Sequence, residues 1–159
     1  MLAREPAAVR AATRESLLIK KGYIEDDELD HGRRNLLNFG HCFGHAVETA
    51  SGFAVPHGQA VVVGMILAGA VARARGILSL AQEERLRRML LLPVLRVRPS
   101  FNEEGRCRVV EAMQYDKKRT GDGLALVMCD DSLQMRQVAD LTPQEALAAL
   151  VMLPALYEG

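Results

Sequence analysis

The feature of this sequence that most constrains its fold is a stretch that is apolar on every side. Residues 60–72 read AVVVGMILAGAVA and contain no charged side chain. A helix without a polar face has to be buried all round, so this stretch predicts a central helix over residues 57–75. Gly64 and Gly69 within it would allow neighbouring helices to cross closely. Gly76 then supplies a C-terminal cap.

The rest of the chain predicts a mainly α fold with one small β-hairpin. Aromatic residues make up only 4% of the chain, whereas alanine and leucine are abundant, which favours helices packed through aliphatic side chains. Two short apolar runs around a pair of aspartates in residues 124–138 predict the hairpin. Cap and periodicity signals predict further helices over residues 5–21, 36 or 38–50, 79–92, 102–118 and from 142 onward, the last one frayed at Pro154.

Size, charge and cysteine usage exclude several classes of protein. The 159 residues suffice for one domain over residues 1–159, and the balance of 20 basic against 20 acidic side chains predicts no nucleic-acid partner. The apolar run of residues 60–72 is too short to span a bilayer, so no membrane association is expected. Three widely spaced cysteines fit neither a disulfide framework nor a zinc ribbon, which predicts a protein of the reducing cytoplasm.

Three of the four histidines lie in residues 34–65, which read RNLLNFGHCFGHAVETASGFAVPHGQAVVVGM. His41 and His45 stand four apart, on one face of a helix, and His57 follows beyond a turn. Imidazole is the commonest protein ligand of zinc, so spacing alone makes His41 and His45 candidate metal ligands. The alternative, that both are core histidines bonded to the backbone, stays open at this point.

A glycine precedes each of these two histidines. Glycine within a helix costs about 1 kcal/mol relative to alanine, so Gly40 and Gly44 predict the close approach of another backbone or of a ligand.

Four cations predict an anionic ligand. Lys20, Arg34, Lys117 and Lys118 stand beside predicted helix ends or loops, and such side chains bind carboxylate and phosphate through charge-assisted hydrogen bonds. For residues 116–119 taken alone, a charged and solvated helix terminus is the competing interpretation.

Together these residues resemble a known family. Residues 34–48, 57–61 and 64–65 look like the C-terminal half of 3-dehydroquinate synthase, and MQYDKK at residues 113–118 resembles the Asp-Lys-Lys signature of that family. The resemblance runs from about residue 20 to the end of the chain. This series of motifs is far more specific than a lone pair of histidines four apart.

The resemblance implies both a fold and a reaction. The fold would be the helical C-terminal domain of a dehydroquinate synthase, beside an N-terminal NAD-binding domain and with the active site between the two. The reaction would convert 3-deoxy-D-arabino-heptulosonate 7-phosphate to 3-dehydroquinate and phosphate in the shikimate pathway. The implied cofactors are NAD+ and Zn2+ (or Co2+), and the full-length enzyme would be a homodimer.

The resemblance also implies roles for single residues. His41 and His57 would be two metal ligands, and the third would be a glutamate in an Ala-Glu-x-x-Lys segment that these 159 residues do not contain. Catalytic positions that hold the phosphate, carboxylate or ring hydroxyls of the substrate are matched by His45, Lys20, Arg34 and Asn38. Substrate-binding positions are matched by Asp30 and by Lys117 and Lys118, one of which would bind the phosphate.

Two positions depart from the pattern of the family. Asp30 stands where glutamate is usual, and Gln59 stands where His-Gly-Glu is usual, so a carboxylate near His57 is expected to be lost. These departures motivate an alternative, a related sugar-phosphate cyclase of the 2-deoxy-scyllo-inosose or valiolone type. A non-catalytic helical dimerisation or regulatory domain is a third possibility. In each case the isolated chain is expected to bind no NAD and to be inactive.

Overall fold

The computed structural model describes residues 5–26, 32–120 and 124–158, leaving out the side chains of residues 26, 33 and 116–120. The chain divides into an N-terminal unit, Met1–Leu37, and a larger unit, Asn38–Gly159. The described residues confirm the mainly α fold with one hairpin. The elements are α1 (Pro6–Asp26), α2 (His41–Ala50), α3 (His57–Ala74), α4 (Leu80–Leu86), α5 (Glu103–Thr120), β1 (Leu126–Cys129), β2 (Met135–Val138) and α6 (Pro143–Tyr157).

Helix α3 forms the centre of the larger unit, as its apolar sequence predicts. Helices α2, α4 and α6 and strand β1 all contact it, and its buried residues run from Ala60 to Ala72 with few interruptions. By length and composition α3 could also cross a membrane, but most of its residues are buried inside the protein, as in the core helix of a water-soluble protein. Gly76, with a φ of 68°, follows the C-cap residue Arg75.

Glycines allow α2 and α3 to approach until their backbones touch. A Cβ added to Gly64 would overlap the carbonyl oxygen of Gly40, and a Cβ added to Gly44 would lie 3.0 Å from the Cα of Val61. The close approach predicted for these glycines is thus confirmed, and the approaching group is the backbone of the neighbouring helix. Gly69 differs, because a Cβ there would meet only the Cγ of Glu83, at an ordinary 3.7 Å.

Helix α2 begins later than the sequence predicts. Gly40 has a φ of 80°, a left-handed conformation that cannot continue a right-handed helix. It separates the 3-10 helix Arg33–Asn38 from α2, which therefore starts at His41 and not at residue 36 or 38. The first histidine consequently occupies the first helical position.

The C-terminal part of the larger unit is held by capped and ion-paired ends. Thr142 and Glu145 form the predicted capping box of α6. Arg75, at the end of α3, donates to Glu145 Oε1 at 2.6 Å and to Asp140 Oδ1 at 2.7 Å. Helix α6 continues through Pro154 to Tyr157, so the predicted fraying is wrong, since Tyr157 is buried and donates its hydroxyl to the carbonyl of Pro99.

The helix predicted over residues 79–92 is interrupted. Ser79 caps α4 by accepting from the Gln82 amide, but after Leu86 the chain forms a π-helical turn, Arg87–Leu91. Arg87 is buried there, where it donates to Glu83 at 2.9 Å and to the carbonyl of Leu156 at 2.8 Å. These contacts join α4 to the end of α6.

Candidate functional site

The structure brings together three imidazoles at the junction of α2 and α3. The ring centroids of His41, His45 and His57 lie 5.4, 5.5 and 5.7 Å apart in pairs. One possible ligand atom from each ring lies within 4.8 Å of the others. Zn–N bonds of about 2.0–2.1 Å in a tetrahedral site place ligand nitrogens about 3.3 Å apart, so the rings would have to turn toward one another to surround one ion.

The loop between the two helices fixes where His57 falls. Ser51 donates its hydroxyl to the carbonyl of Glu48 at 2.9 Å and accepts the amide of Val55 at 3.3 Å, and Val55 is buried. Gly52 and Phe53 both adopt positive φ, which reverses the chain over very few residues. His57 is therefore delivered as the first residue of α3, beside the face of α2 that carries His41 and His45.

His41 is the least exposed of the three histidines. Burial lowers the pKa of His41 below its usual value, and protonated His45 or His57 would lower it further. The carbonyls of Phe39 and Asn38 oppose this shift in pKa, yet neither forms a hydrogen bond to Nδ1. That buried nitrogen has no hydrogen-bond partner among the residues that the structure describes. A neutral imidazole with an unpartnered nitrogen fits the role of a metal ligand.

The donor set agrees with the implied metal. Imidazole nitrogen suits Zn2+ and Co2+, and three protein ligands leave the open position that catalytic zinc requires. The geometry accommodates both the pair His41 and His45, which spacing suggests, and the pair His41 and His57, which the family resemblance implies. All three rings are close enough to take part.

Glu48 is a site residue to which sequence reasoning gave no role. It follows His41 by seven residues and His45 by three, so all three lie on one face of α2. Its Oε2 lies 3.0 Å from Nδ1 of His57. The spacing from His41 through His45 to Glu48 was a signal that could have found it.

The side chain of Gln59 bonds to residues other than the histidines. Its presence in place of the usual glutamate predicts the loss of a carboxylate near His57, but the structure has a carboxylate there. The Oε1 of Gln59 accepts the amides of Arg96 and Val97, and its Nε2 donates to the carbonyl of Val94 at 3.3 Å. The side chain therefore fastens the first turn of α3 to residues 94–97. The carboxylate beside His57 comes from Glu48 instead.

The remaining predicted site residues are distributed over both units. Asn38 is exposed at the end of the 3-10 helix that precedes Gly40. Lys20 is exposed on α1, and Arg34 is half-buried in the 3-10 helix, both within the N-terminal unit. Asp30 and the side chains of Lys117 and Lys118 lie outside the described residues, although the two lysines belong to the last turns of α5.

Comparison with known proteins agrees with the motifs. The family model described as "3-dehydroquinate synthase C-terminal" matches residues 1–119. A 3-dehydroquinate synthase of Laribacter hongkongensis is 41% identical over 134 residues, covering 82% of this chain and 36% of its own length. One from a Geobacter species is 35% identical over 149 residues, covering 92% of this chain and 40% of its own. The chain thus spans about two fifths of these relatives.

A solved structure has the same fold. ValA, the 2-epi-5-epi-valiolone synthase of Streptomyces hygroscopicus subsp. jinggangensis 5008, with NAD+ and Zn2+ bound, superposes with a TM-score of 0.78 at 24% identity. The match covers 95% of this chain and 41% of ValA. At that identity the likeness concerns the fold. The family match over residues 1–119, together with the histidine motifs, identifies this chain as a member of the 3-dehydroquinate synthase C-terminal family.

Proposed function

We propose that this chain provides the metal- and substrate-binding part of a 3-dehydroquinate synthase. The reaction would convert 3-deoxy-D-arabino-heptulosonate 7-phosphate to 3-dehydroquinate and phosphate, within the shikimate pathway of aromatic amino acid biosynthesis. The observation that carries this proposal is the cluster of His41, His45 and His57, which lies within the residues that the family model matches.

In this proposal the imidazoles divide the work. His41 and His57 would hold Zn2+ or Co2+, and the lowered pKa of His41 favours the neutral imidazole that binds a metal. His45, which is exposed, would contact the phosphate of the substrate. The bound metal would act as a Lewis acid on a substrate oxygen. Much of the remaining chemistry then depends on positioning and on proton transfers within the substrate.

Cationic and polar side chains would hold the anionic substrate. Arginine and lysine bind carboxylate and phosphate through charge-assisted hydrogen bonds, and an amide can contact ring hydroxyls. The residues assigned to this task by motif position are Lys20, Arg34, Asn38, Asp30, Lys117 and Lys118.

The other parts of the enzyme lie outside this chain. NAD+ would bind an N-terminal domain and supply the transient oxidation that acidifies the neighbouring C–H bond. We expect the complete enzyme to be a cytoplasmic homodimer, and the isolated chain to be inactive and without NAD affinity. Isothermal titration tests the last expectation, which micromolar NAD binding by the isolated chain would overturn.

A domain exchange tests the proposed function. In the Laribacter relative, the matched C-terminal portion is replaced by this chain, and phosphate release from the seven-carbon keto-acid phosphate is measured with NAD+ and Zn2+. We expect release in the chimera and its loss on His41→Ala, while the unmodified relative serves as a positive control. A folded chimera without phosphate release, beside an active control, would exclude dehydroquinate synthesis.

The same chimera addresses the alternatives. A sugar-phosphate cyclase of the valiolone or 2-deoxy-scyllo-inosose type would leave the keto-acid phosphate untouched while the chimera still binds zinc. A non-catalytic dimerisation or regulatory domain would give no turnover and would bind no zinc.

A further inference from the structure

Glu48 makes a contact that bears on the chemistry of His57. Its carboxylate oxygen Oε2 lies 3.0 Å from Nδ1 of the imidazole. The glutamate side chain is 21% exposed, whereas that of the histidine is 53% exposed. The more sheltered partner is therefore the carboxylate, which rises from the helix that also carries His41 and His45.

This contact restricts which nitrogen of His57 is available. An ionised carboxylate can only accept hydrogen bonds, so the hydrogen between the two atoms has to reside on Nδ1. A neutral imidazole carries one N–H, which leaves Nε2 with a free lone pair. A carboxylate that fixes a histidine in this way is a recurrent outer partner of metal sites.

We propose that Glu48 is a positioning residue that holds His57 in the tautomer whose Nε2 is free to bind the metal ion. This inference rests on the proposed function for its metal. It concerns a residue of this chain that is not a member of the histidine cluster itself. Glu48 thereby supplies the carboxylate that the glutamine at position 59 does not.

The carboxylate is not needed to shape the loop that it borders. The carbonyl of Glu48 accepts the amide of Phe53 at 2.9 Å and the hydroxyl of Ser51 at 2.9 Å, so the backbone of this residue already closes the turn. A change confined to the carboxylate leaves these bonds in place. Glu48→Gln is therefore expected to fold.

The test measures tautomer and metal affinity in the 159-residue chain. Nitrogen-15 NMR of the metal-free chain at pH 8 reports which nitrogen of His57 carries the hydrogen, and competition against a chromophoric chelator gives the dissociation constant for Zn2+. We expect Glu48→Gln to shift His57 toward the Nε2–H tautomer, because an amide can also donate to Nδ1. Zinc affinity should fall about 10- to 100-fold.

Glu111→Gln is the matched control, since it makes the same change of charge on an exposed glutamate of α5. It should alter neither measurement, and circular dichroism checks the folding of both variants. An unchanged tautomer in folded Glu48→Gln would overturn the positioning role even if zinc still binds. If the wild-type chain binds no zinc but its tautomer shifts on substitution, the positioning role stands, and His41 and His57 do not bind the ion without a ligand from outside this chain.

Discussion

The two ends of α3 carry polar groups that differ in whether they have hydrogen-bond partners. At its N-terminus, His57 joins His41 and His45 in a cluster that includes a buried nitrogen without a partner among the described residues. At its C-terminus, Arg75 donates to both Glu145 and Asp140, and Glu145 also closes the capping box of α6. At the N-terminal end, a buried ring nitrogen of the described residues has no hydrogen-bond partner. At the C-terminal end, the guanidinium of Arg75 is paired with two carboxylates.

This difference distinguishes a candidate binding site, at the N-terminal end of α3, from a structural contact between α3 and α6 at its C-terminal end. Buried polar groups in folded proteins are almost always satisfied, so those that are not call for an explanation. At the C-terminal end, the satisfied ion pairs explain why α3 and α6 stay together. At the N-terminal end, three imidazoles lie side by side with their possible ligand atoms within 4.8 Å of one another, an arrangement that fits a metal site.

The largest effect is expected where α3 presses against α2. Gly64→Ala would drive a methyl group into the carbonyl of Gly40, so the helices have to separate. We expect a loss of about 3 kcal/mol or more in the free energy of unfolding, measured by urea denaturation. Gly69→Ala is the matched control in the same helix, and it should be neutral or stabilising by up to about 1 kcal/mol. Equal losses in both variants would refute the tight crossing.

Removing an imidazole should affect metal binding and leave the ion pairs at the C-terminal end of α3 intact. We expect His41→Ala to weaken Zn2+ binding by about 100-fold or more, beyond the usual range for an outer partner of a metal site. Arg75→Ala at the other end of α3 should leave zinc affinity unchanged. Chelator competition measures both variants, and a similar loss of affinity in each would erase the contrast between the two ends.

Acid should weaken the contact between Arg75 and Glu145 at the C-terminal end of α3. The hydrogen bond from Arg75, with help from Thr142, lowers the pKa of Glu145 to about 2 from 4.5. Because the folded state holds this proton less tightly than the unfolded state, its stabilisation is complete above pH 4.5 and is lost as the pH falls toward 2. Since the carboxylate is partly exposed and screened, we expect about 1–2 kcal/mol.

Urea denaturation of wild type and of Arg75→Met at pH 7 and pH 2.5 isolates this contribution. The substitution should cost that amount at pH 7 and clearly less at pH 2.5. A cost that does not depend on pH would show that the carboxylate is not the relevant partner.

The smallest effect is expected at Gln59. Gln59→Glu keeps an oxygen for the amides of Arg96 and Val97 but loses the donor to the carbonyl of Val94. We expect a destabilisation of about 1 kcal/mol and zinc affinity within a factor of about two. A large gain in zinc affinity, measured by chelator competition, would mean that this side chain does turn toward the histidines.

Local patterns predicted much of the fold. The apolar run of α3, the caps at Ser79 and Thr142 and the hairpin were all readable, because each signal lies within a few residues of the element that it defines. Interruptions were harder to predict. The left-handed conformation of Gly40 makes α2 begin at His41, later than predicted. The continuation of α6 past Pro154 depends on burial of a helix end against distant parts of the chain.

The sequence by itself determined which chemical groups the site contains, because the histidine motif and the resemblance to the family can both be recognised in it. Only the tertiary structure decided which groups meet. The partner of His57 is Glu48, nine residues earlier on another helix, while Gln59 reaches residues more than thirty positions away. The physical reason is that such contacts depend on how closely two helices pack, which three glycines and one short loop set together.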